Sequence, residues 1–216
     1  MYFSRIFLLV LLMECSPLCW AQSWSVSGEG GFGFYRDATI DNASGSAKAG
    51  FGPRTALSGV LSQDLLEHFG GELRYTFRDG DSELKSGGTE ANLDAASHAV
   101  HYDFLAYASG RRARLRPFVA LGGGFKYYTG TGHEQTFQPL SDFAFLDHAN
   151  QVEGLISVGG GVKYSLTEHW RLRFDFRDYL TPFPNKVITP APGANRHGWL
   201  NDFVLMAGLE WKFSGK

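Results

Sequence analysis

The sequence of 216 residues is poor in cysteine, and its two cysteines, Cys15 and Cys19, lie close to the start. Both fall within a segment that we expect to be removed. A chain that begins near Gln22 then has no thiol, which excludes disulfides and thiolate metal sites as sources of stability. Glu14 is a poor match to the small residue that precedes a lipidated cysteine, so we expect no lipid anchor at Cys15.

Long hydrophobic runs are also missing. The apolar stretch at 6–13 follows Arg5 and is followed, after a short spacer, by the small residue Ala21. This is the layout of a secretory signal, so we predict a cleavable signal over 1–21 and one domain over 22–216. The stretch is well short of the roughly 20 residues that a spanning helix needs, and no transmembrane helix is predicted.

A strong excess of charge of one sign is absent too, since 20 Lys and Arg stand against 22 Asp and Glu. That balance argues against a nucleic-acid partner. The sequence is instead rich in glycine, with 27 residues, and in aromatic residues, at 15%. Short runs of Tyr, Phe, Val and Thr between Gly, Asp, Asn and Pro clusters indicate β-structure.

Alternation of polar and apolar residues predicts eight strands, each at least as long as the roughly nine to eleven residues of a tilted membrane-spanning strand. They lie at 23–35, 48–62, 69–79, 95–108, 113–129, 150–166, 169–180 and 199–213. The connections alternate between short and long. The short ones are 63–68, 109–112 and 167–168, and the long ones are 36–47, 80–94, 130–149 and 181–198. This pattern predicts an all-β fold, an eight-stranded antiparallel up-and-down transmembrane β-barrel with short periplasmic turns and long extracellular loops.

Charge placement indicates which face of the barrel meets lipid. In the seventh strand Arg171, Arg173 and Asp175 alternate with apolar residues, and an arginine facing lipid costs roughly 2 to 4 kcal/mol at mid-depth. The charged face should therefore line the lumen, which in a barrel of this size is filled by side chains. We predict a salt-bridged plug made of Glu29, Arg54, Glu72, Arg74, Arg78, Asp103, Arg114, Arg116, Lys126, Glu153, Lys163, Arg171, Arg173, Asp175, Arg177, Asp202, Glu210 and Lys212.

Aromatic residues fall near the ends of the predicted strands and on the apolar face. Amphipathic rings are enriched where a membrane meets water. We therefore predict an aromatic girdle at the two rims, formed by Trp24, Phe34, Phe77, Tyr127, Trp170, Trp199, Trp211 and Phe213.

Two stretches carry a family resemblance. The ending Ala-Gly-Leu-Glu-Trp-Lys-Phe at 207–213 is similar to a C-terminal barrel-assembly signal, and the glycine-rich stretch 159–164 with 170–180 looks like a hairpin of barrel-domain proteins. Over 22–216 the chain resembles the small outer-membrane β-barrel family typified by the transmembrane domain of outer-membrane protein A and its X-type relatives. The resemblance implies an integral protein of the bacterial outer membrane, with outer-membrane lipid, lipopolysaccharide and the barrel-assembly machinery as partners. It implies an assembly signal formed by Gly208, Leu209, Trp211 and Phe213.

The sequence predicts no catalytic, cofactor or metal site. The triple glycines at 122–124 and 159–161 fit no nucleotide motif, and in strands they permit curvature or close approach of a bulky neighbour. His98 and His101 would point to opposite faces of one strand, so they cannot share a metal ion. The acidic run Asp79, Asp81 and Glu83 lacks the glycine of a calcium loop, because Leu84 holds that place.

Three functions from different classes are open at this point. The first is a non-enzymatic outer-membrane barrel with a structural or surface-recognition role, in which charged loops stay solvated and the aromatic residues of the third loop, near Phe143, pack together or meet a partner. The second is a secreted, soluble lipocalin-like barrel with an apolar interior. The third is a lipid A-modifying enzyme, although His197-Gly198-Trp199 lacks the following Ser-Asn of lipid A deacylases.

Overall fold

The computed structural model of the chain describes residues 23–133 and 137–213. The predicted signal at 1–21 lies outside these described residues. Within them no helix has the length and hydropathy to cross a bilayer. The strands are β1 (Ser23–Arg36), β2 (Ala38–Asn42), β3 (Gly45–Phe51), β4 (Arg54–Asp64), β5 (Phe69–Ser86), β6 (Thr89–Tyr107), β7 (Leu115–Gly130), β8 (Ala144–Leu146), β9 (Asn150–Ser165), β10 (Trp170–Thr181), β11 (Ile188–Pro190), β12 (Asn195–His197) and β13 (Leu200–Lys212).

Eight of these strands form a closed antiparallel ring, in the order β1, β4, β5, β6, β7, β9, β10 and β13. The last strand pairs with the first from Ser25 opposite Lys212 to Arg36 opposite Asn201. Neighbours in the ring follow one another along the chain, so the predicted eight-stranded up-and-down barrel is confirmed. Both ends of the described chain lie at the rim that carries the short turns, which we call the turn end, and the opposite rim is the loop end.

Two predicted boundaries are wrong. The predicted strand 48–62 is divided between β3 and β4 around Pro53, which has no N–H to give to a sheet. The predicted long loop at 80–94 is instead a β-hairpin, since β5 and β6 pair up to Ser86 opposite Thr89. Gly87 and Gly88 form its two-residue turn with φ of +56° and +84°, as type I′ turns require.

The long connections are folded as well. In the predicted loop 36–47, β2 and β3 form a hairpin. Strand β3 also pairs with the part of β5 nearest the loop end, and β12 pairs with β2. The third and fourth long connections contribute β8 and β11, which pair with each other. These segments, which we call the loop cap, surround a hydrophobic core of Ala38, Ile40, Ala47, Ala49, Phe51, Leu84, Leu93, Ala95, Tyr128, Leu140, Phe143, Ala144, Leu146, Phe183, Val187, Ile188 and Leu200.

The barrel wall has opposite chemistry on its two faces. Large apolar side chains point outward and are well exposed, for example Phe104 at 65%, Val119 at 64% and Phe125 at 67%. Charged side chains point inward, and Glu72 and Arg74 are fully buried. Exposed apolar side chains around the wall are what a lipid environment requires, and this arrangement is the reverse of the apolar interior that the lipocalin alternative needs.

Candidate functional site

The centre of the lumen is organised around Arg173. Its guanidinium reaches Glu72 at 2.6 Å, Asp175 at 2.8 Å, Glu29 at 3.1 Å and Glu210 at 3.6 Å. These five residues come from β1, β5, β10 and β13, so the contacts connect strands across the barrel. All five side chains are buried.

Arg74 contacts much of the same carboxylate group from β5. It lies 2.7 Å from Glu29, 2.5 Å from Asp175 and 3.2 Å from Glu72. Each of these carboxylates therefore faces at least two guanidinium groups. Shared contacts of this kind satisfy the several donors of arginine in an interior without bulk water, where an unpaired charge is costly.

Further along β10 toward the loop end, Arg177 lies 2.8 Å from Glu72 and 3.3 Å from Asp103. Asp103 also contacts His101 Nδ1 at 2.9 Å, and it accepts a hydrogen bond from Ser157 Oγ at 3.2 Å. His101 is buried. Strand β6 is thus joined to β9 and β10 through a single carboxylate.

Nearer the turn end, Glu210 pairs with Lys163 at 2.7 Å and with Arg171 at 3.1 Å. At the same end Arg116 pairs with Asp64 at 3.1 Å, and its guanidinium stacks 3.8 Å from the centre of the Tyr107 ring. Nearer the loop end, Asp202 is bound by both Arg78 and Lys126. Between that group and the central cluster lies an apolar layer of Ala56, Ala99, Leu155, Tyr179, Val204 and Met206.

Inward-facing glycines make room for these side chains. A Cβ at Gly159 would lie 2.9 Å from the Arg177 side chain, and one at Gly161 would lie 2.6 Å from the carboxylate of Asp175. A Cβ at Gly33 would lie 2.8 Å from the Arg78 guanidinium. The glycine repeats on the paired strands β7 and β9 therefore have the close-approach role that the sequence favoured.

Four residues predicted for the lumen are not part of the cluster. Arg54 has a side chain that is 48% exposed and pairs with Asp81, because it lies at the first position of β4. Arg114 is exposed in the turn before β7, and Lys212 is partly exposed at the end of β13. Glu153 is half-buried near the loop end, where it accepts a hydrogen bond from the Gln151 amide.

Sequence reasoning also missed members of the lumen. The sequence predicts a turn at Asp64, whereas Asp64 is the last residue of β4 and points inward. The sequence analysis considers His101 only as a candidate metal ligand, whereas its strand parity matches that of Asp103. Parity along β6 was therefore the signal that could have identified His101. Tyr35 accepts a hydrogen bond from Lys126 at 2.8 Å and has no charge to mark it in the sequence.

The predicted girdle residues all lie on the outer surface. At the turn end Trp170 faces Trp211 across the β10–β13 pair, and the rings of Trp211 and Phe213 are 4.7 Å apart. Toward the loop end, Phe77, His98 and Tyr127 lie side by side on three strands. The others, Trp24, Phe34 and Trp199, are 42%, 46% and 55% exposed. Their anchoring role stays a prediction.

The loop cap buries part of the aromatic group that the sequence singled out. Phe143 and Leu146 belong to its core, whereas Phe137 is 77% exposed and Phe145 is 39% exposed. A cleft of about 90 Å³ opens beside this group and is lined by Glu90, Ala91, Asn92, Leu93, Gln138, Pro139 and Leu146. The cap therefore has a packed hydrophobic core beside this cleft.

Burial and hydrogen bonding shift the pKa values of two groups in the cap. Burial raises the pKa of the Asp37 carboxyl, and the opposing effect of Lys85 is smaller. The pKa of Lys85 itself is raised, mainly by its hydrogen bond to Glu83. His197 lies 3.6 Å from Asp41, with both side chains well exposed.

The histidines and acidic residues do not assemble a metal site in the described part of the chain, where no group of three or more potential ligands is suitably placed. His98 points outward and contacts the Tyr75 hydroxyl at 2.8 Å, while His101 points into the lumen. Their opposite orientation is the one expected from strand parity. Asp79, Asp81 and Glu83 lie in strand β5 and not in a loop.

A family model described as "Outer membrane protein beta-barrel domain" matches residues 6–213. The crystal structure of Neisserial surface protein A is similar with a TM-score of 0.52 and 15% identity, over 89% of this chain and 99% of that chain.

Two further solved structures are similar at lower scores. The N-terminal β-barrel domain of OprF from Pseudomonas aeruginosa has a TM-score of 0.43 and 14% identity, over 88% of this chain and 97% of that one. The outer membrane protease OmpT from Escherichia coli has a TM-score of 0.47 and 11% identity, over 88% of this chain and 97% of that one. No curated protein matches. At these identities the structural likeness shows the fold alone.

Proposed function

Starting from the fact that this chain belongs to the family of outer membrane protein β-barrel domains and is an integral protein of the bacterial outer membrane, we propose that it is a non-enzymatic barrel with a plugged lumen. Its role is to hold a folded recognition surface, the loop cap, above the membrane. The observation that best supports this is a direct contact between the lumen charges and the cap core: Lys126 lies 5.2 Å from the centre of the Tyr128 ring, which stacks on Phe51 in the core of the cap.

The pairing of charges in the lumen supports the plug, since each buried Arg, Lys, Asp and Glu of the lumen among residues 23–133 and 137–213 has a partner of opposite charge. Arg173, Arg74 and Arg177 are buried among carboxylates, and the glycines of β7 and β9 bring the walls close to them. Moving an ion through this region would require several coupled buried pairs to separate. Leaving one such buried charge without its partner costs about 3 to 5 kcal/mol.

The loop cap supports a recognition role through its order. Its strands extend the barrel sheet, and its core excludes water from residues such as Ile40, Phe143 and Ile188. A preordered surface loses less conformational entropy on meeting a partner than flexible loops do. Phe137, which is 77% exposed on this surface, is the side chain that we expect a protein or glycan partner to cover.

A planar-bilayer recording tests the plug. We expect no stable large conductance from the refolded protein, under conditions in which a general porin gives clear steps. Stable steps from protein that passes a heat-modifiable mobility check would contradict the plugged lumen.

Trypsin treatment of intact cells tests the ordered cap. Lys48, Lys186 and Arg196 are exposed cap residues at which a mobile loop would be cleaved. We expect slow cleavage in the wild type and fast cleavage after Phe143→Ala, which removes a buried ring. Equally fast cleavage of both proteins would mean that the cap is not a folded unit.

We also propose that Gly208, Leu209, Trp211 and Phe213 form the assembly signal, and that outer-membrane lipid and lipopolysaccharide surround the wall. Leu209 and Trp211 point outward from the strand that closes the ring, and the exposed Phe213 directly follows that strand, which supports this proposal. Phe213→Ala should lower the amount of protein in the outer membrane. The matched variant Phe203→Ala, on the same strand face, should lower it less.

A further inference from the structure

Positive charge at the turn end is concentrated in one connection. The turn between β6 and β7, residues 108–114, contains Arg111, Arg112 and Arg114. The other two short connections, 65–68 and 166–169, contain no Arg or Lys. The barrel is therefore asymmetric around its periplasmic rim.

The three arginines of this turn have different roles. Arg111 donates to the carbonyl oxygens of Leu66 and Asp64, each at 3.2 Å, and so fixes the turn against its neighbour. Arg112 and Arg114 are exposed. No carboxylate among the described residues lies within ion-pairing distance of Arg112 or Arg114, so the two guanidinium groups are available to an external anion.

Arg114 is held at the level of the membrane interface. Its guanidinium lies 5.0 Å from the centre of the Tyr164 ring, and Tyr164 faces Leu115 across the β7–β9 pair. The tryptophans Trp170 and Trp211 are at the same rim. Aromatic rings at this position mark the headgroup region of a bilayer.

A shallow groove runs up the lipid-facing wall from the same turn. It measures about 350 Å³ and lies between β6 and β7, where Ala106 faces Val119 and the Ala108 N–H donates to the Pro117 carbonyl at 2.9 Å. It is lined by the small side chains of Ala106 and Ala108 together with Tyr107, Pro117, Phe118 and Val119. The outward ring of Phe104, which is 65% exposed, rises from the same face of β6. An extended acyl chain matches an apolar groove of this kind.

We propose that this rim binds one anionic phospholipid of the periplasmic leaflet. Arg112 and Arg114 contact the phosphate, and one acyl chain lies in the groove between β6 and β7. Guanidinium groups pair with phosphate oxygens through two parallel hydrogen bonds, and uncompensated positive charge selects anionic over zwitterionic headgroups. The phosphates of lipopolysaccharide have the same chemistry. They belong to the opposite leaflet, so the assignment to phospholipid rests on the periplasmic position of the short turns.

Native mass spectrometry of protein extracted from vesicles tests the site. The vesicles contain equimolar phosphatidylglycerol and phosphatidylcholine, and the readout is the ratio of the two lipids retained. We expect the wild type to retain phosphatidylglycerol preferentially. Arg112→Gln with Arg114→Gln should reduce that preference by about fivefold per arginine, the fold-change that corresponds to about 1 kcal/mol for a basic residue near an anionic surface.

The matched control is Lys186→Gln with Arg196→Gln, which removes two exposed positive charges from the loop cap and should leave the preference unchanged. A second variant, Ala106→Phe, fills the groove and should reduce retention of both lipids at this site. Equal retention of the two lipids by the wild type would overturn the proposal, as would equal losses in the two double variants. Only variants with wild-type heat-modifiable mobility are compared, so the result is independent of conductance and of cap stability.

Discussion

Replacing Arg173 by Met gives the largest single loss of barrel stability that we predict. The guanidinium makes its two shortest contacts with Glu72 at 2.6 Å and Asp175 at 2.8 Å. A hydrogen bond to a charged group contributes about 1.5 to 3 kcal/mol, and removing one partner of a buried pair costs about 3 to 5 kcal/mol. Without Arg173, the guanidinium groups of Arg74 and Arg177 face three carboxylates, those of Glu29, Glu72 and Asp175, so one buried negative charge is left uncompensated. We therefore expect a loss of about 3 to 5 kcal/mol.

Urea titration of protein folded in lipid vesicles measures this loss, with tryptophan fluorescence as the probe of unfolding. Arg54→Met is the matched control, since Arg54 pairs with Asp81 while remaining 48% exposed. Exposed pairs contribute at most about 1 kcal/mol, so this control should change little. Adding Glu72→Gln to Arg173→Met should recover part of the loss, because it removes one uncompensated charge. Equal free energies of unfolding for Arg173→Met and Arg54→Met would refute the buried network.

Three further predictions concern other parts of the molecule. Gly161→Ala should destabilise the barrel by about 1 to 3 kcal/mol, because its Cβ would lie 2.6 Å from Asp175. Gly28→Ala should be tolerated, because no atom lies within 4 Å of a Cβ there, and the urea midpoints of the two variants test this difference. Phe143→Ala should destabilise the loop cap by about 3 to 5 kcal/mol, and Phe137→Ala should not, because only Phe143 is buried. Hydrogen exchange of the cap amides measures the difference, and equal protection in both variants would mean that Phe143 is not part of a packed cap core. Burial raises the pKa of Asp37, so the stability of the cap should fall as the pH rises from below the ordinary carboxyl pKa through the raised one. Asp37→Asn should remove this dependence of cap stability on pH, as measured by hydrogen exchange at several pH values. An unchanged dependence would assign it to another group.

The barrel was predictable because its signal is repeated around the wall. Residues such as Arg173 and Phe174 alternate along β10, and lipid on one side makes that alternation strict. The β5–β6 hairpin was not predictable from the same signal, since polar Ser82 is buried beside Leu84 and hides the apolar periodicity. The loop cap was missed for a related reason. Its core joins residues from all four long connections, and such distant contacts leave no periodic trace in one sequence.

The membership of the lumen cluster was predictable only where parity was clear. Interior charges such as Glu72 and Arg177 follow from strand alternation. The prediction for Arg54 is wrong because an inward-facing side chain is buried only where it lies away from the end of its strand. Arg54 is the first residue of β4, and the sequence does not show where β4 begins. The ion-pair partners themselves depend on the stagger of the strands, which one sequence does not specify.

Cysteine labelling along β9 tests directly whether the polar face of the wall is sealed inside and the apolar face meets lipid. Ser157→Cys replaces a buried side chain by one of similar size, and Val158→Cys places a thiol on the adjacent outward position. We predict that a lipid-soluble maleimide labels Val158→Cys in membranes, and that neither this reagent nor a water-soluble maleimide labels folded Ser157→Cys. Rapid labelling of Ser157→Cys by the water-soluble reagent, with Val158→Cys protected from the lipid-soluble one, would mean that the two faces of the wall are oriented the other way.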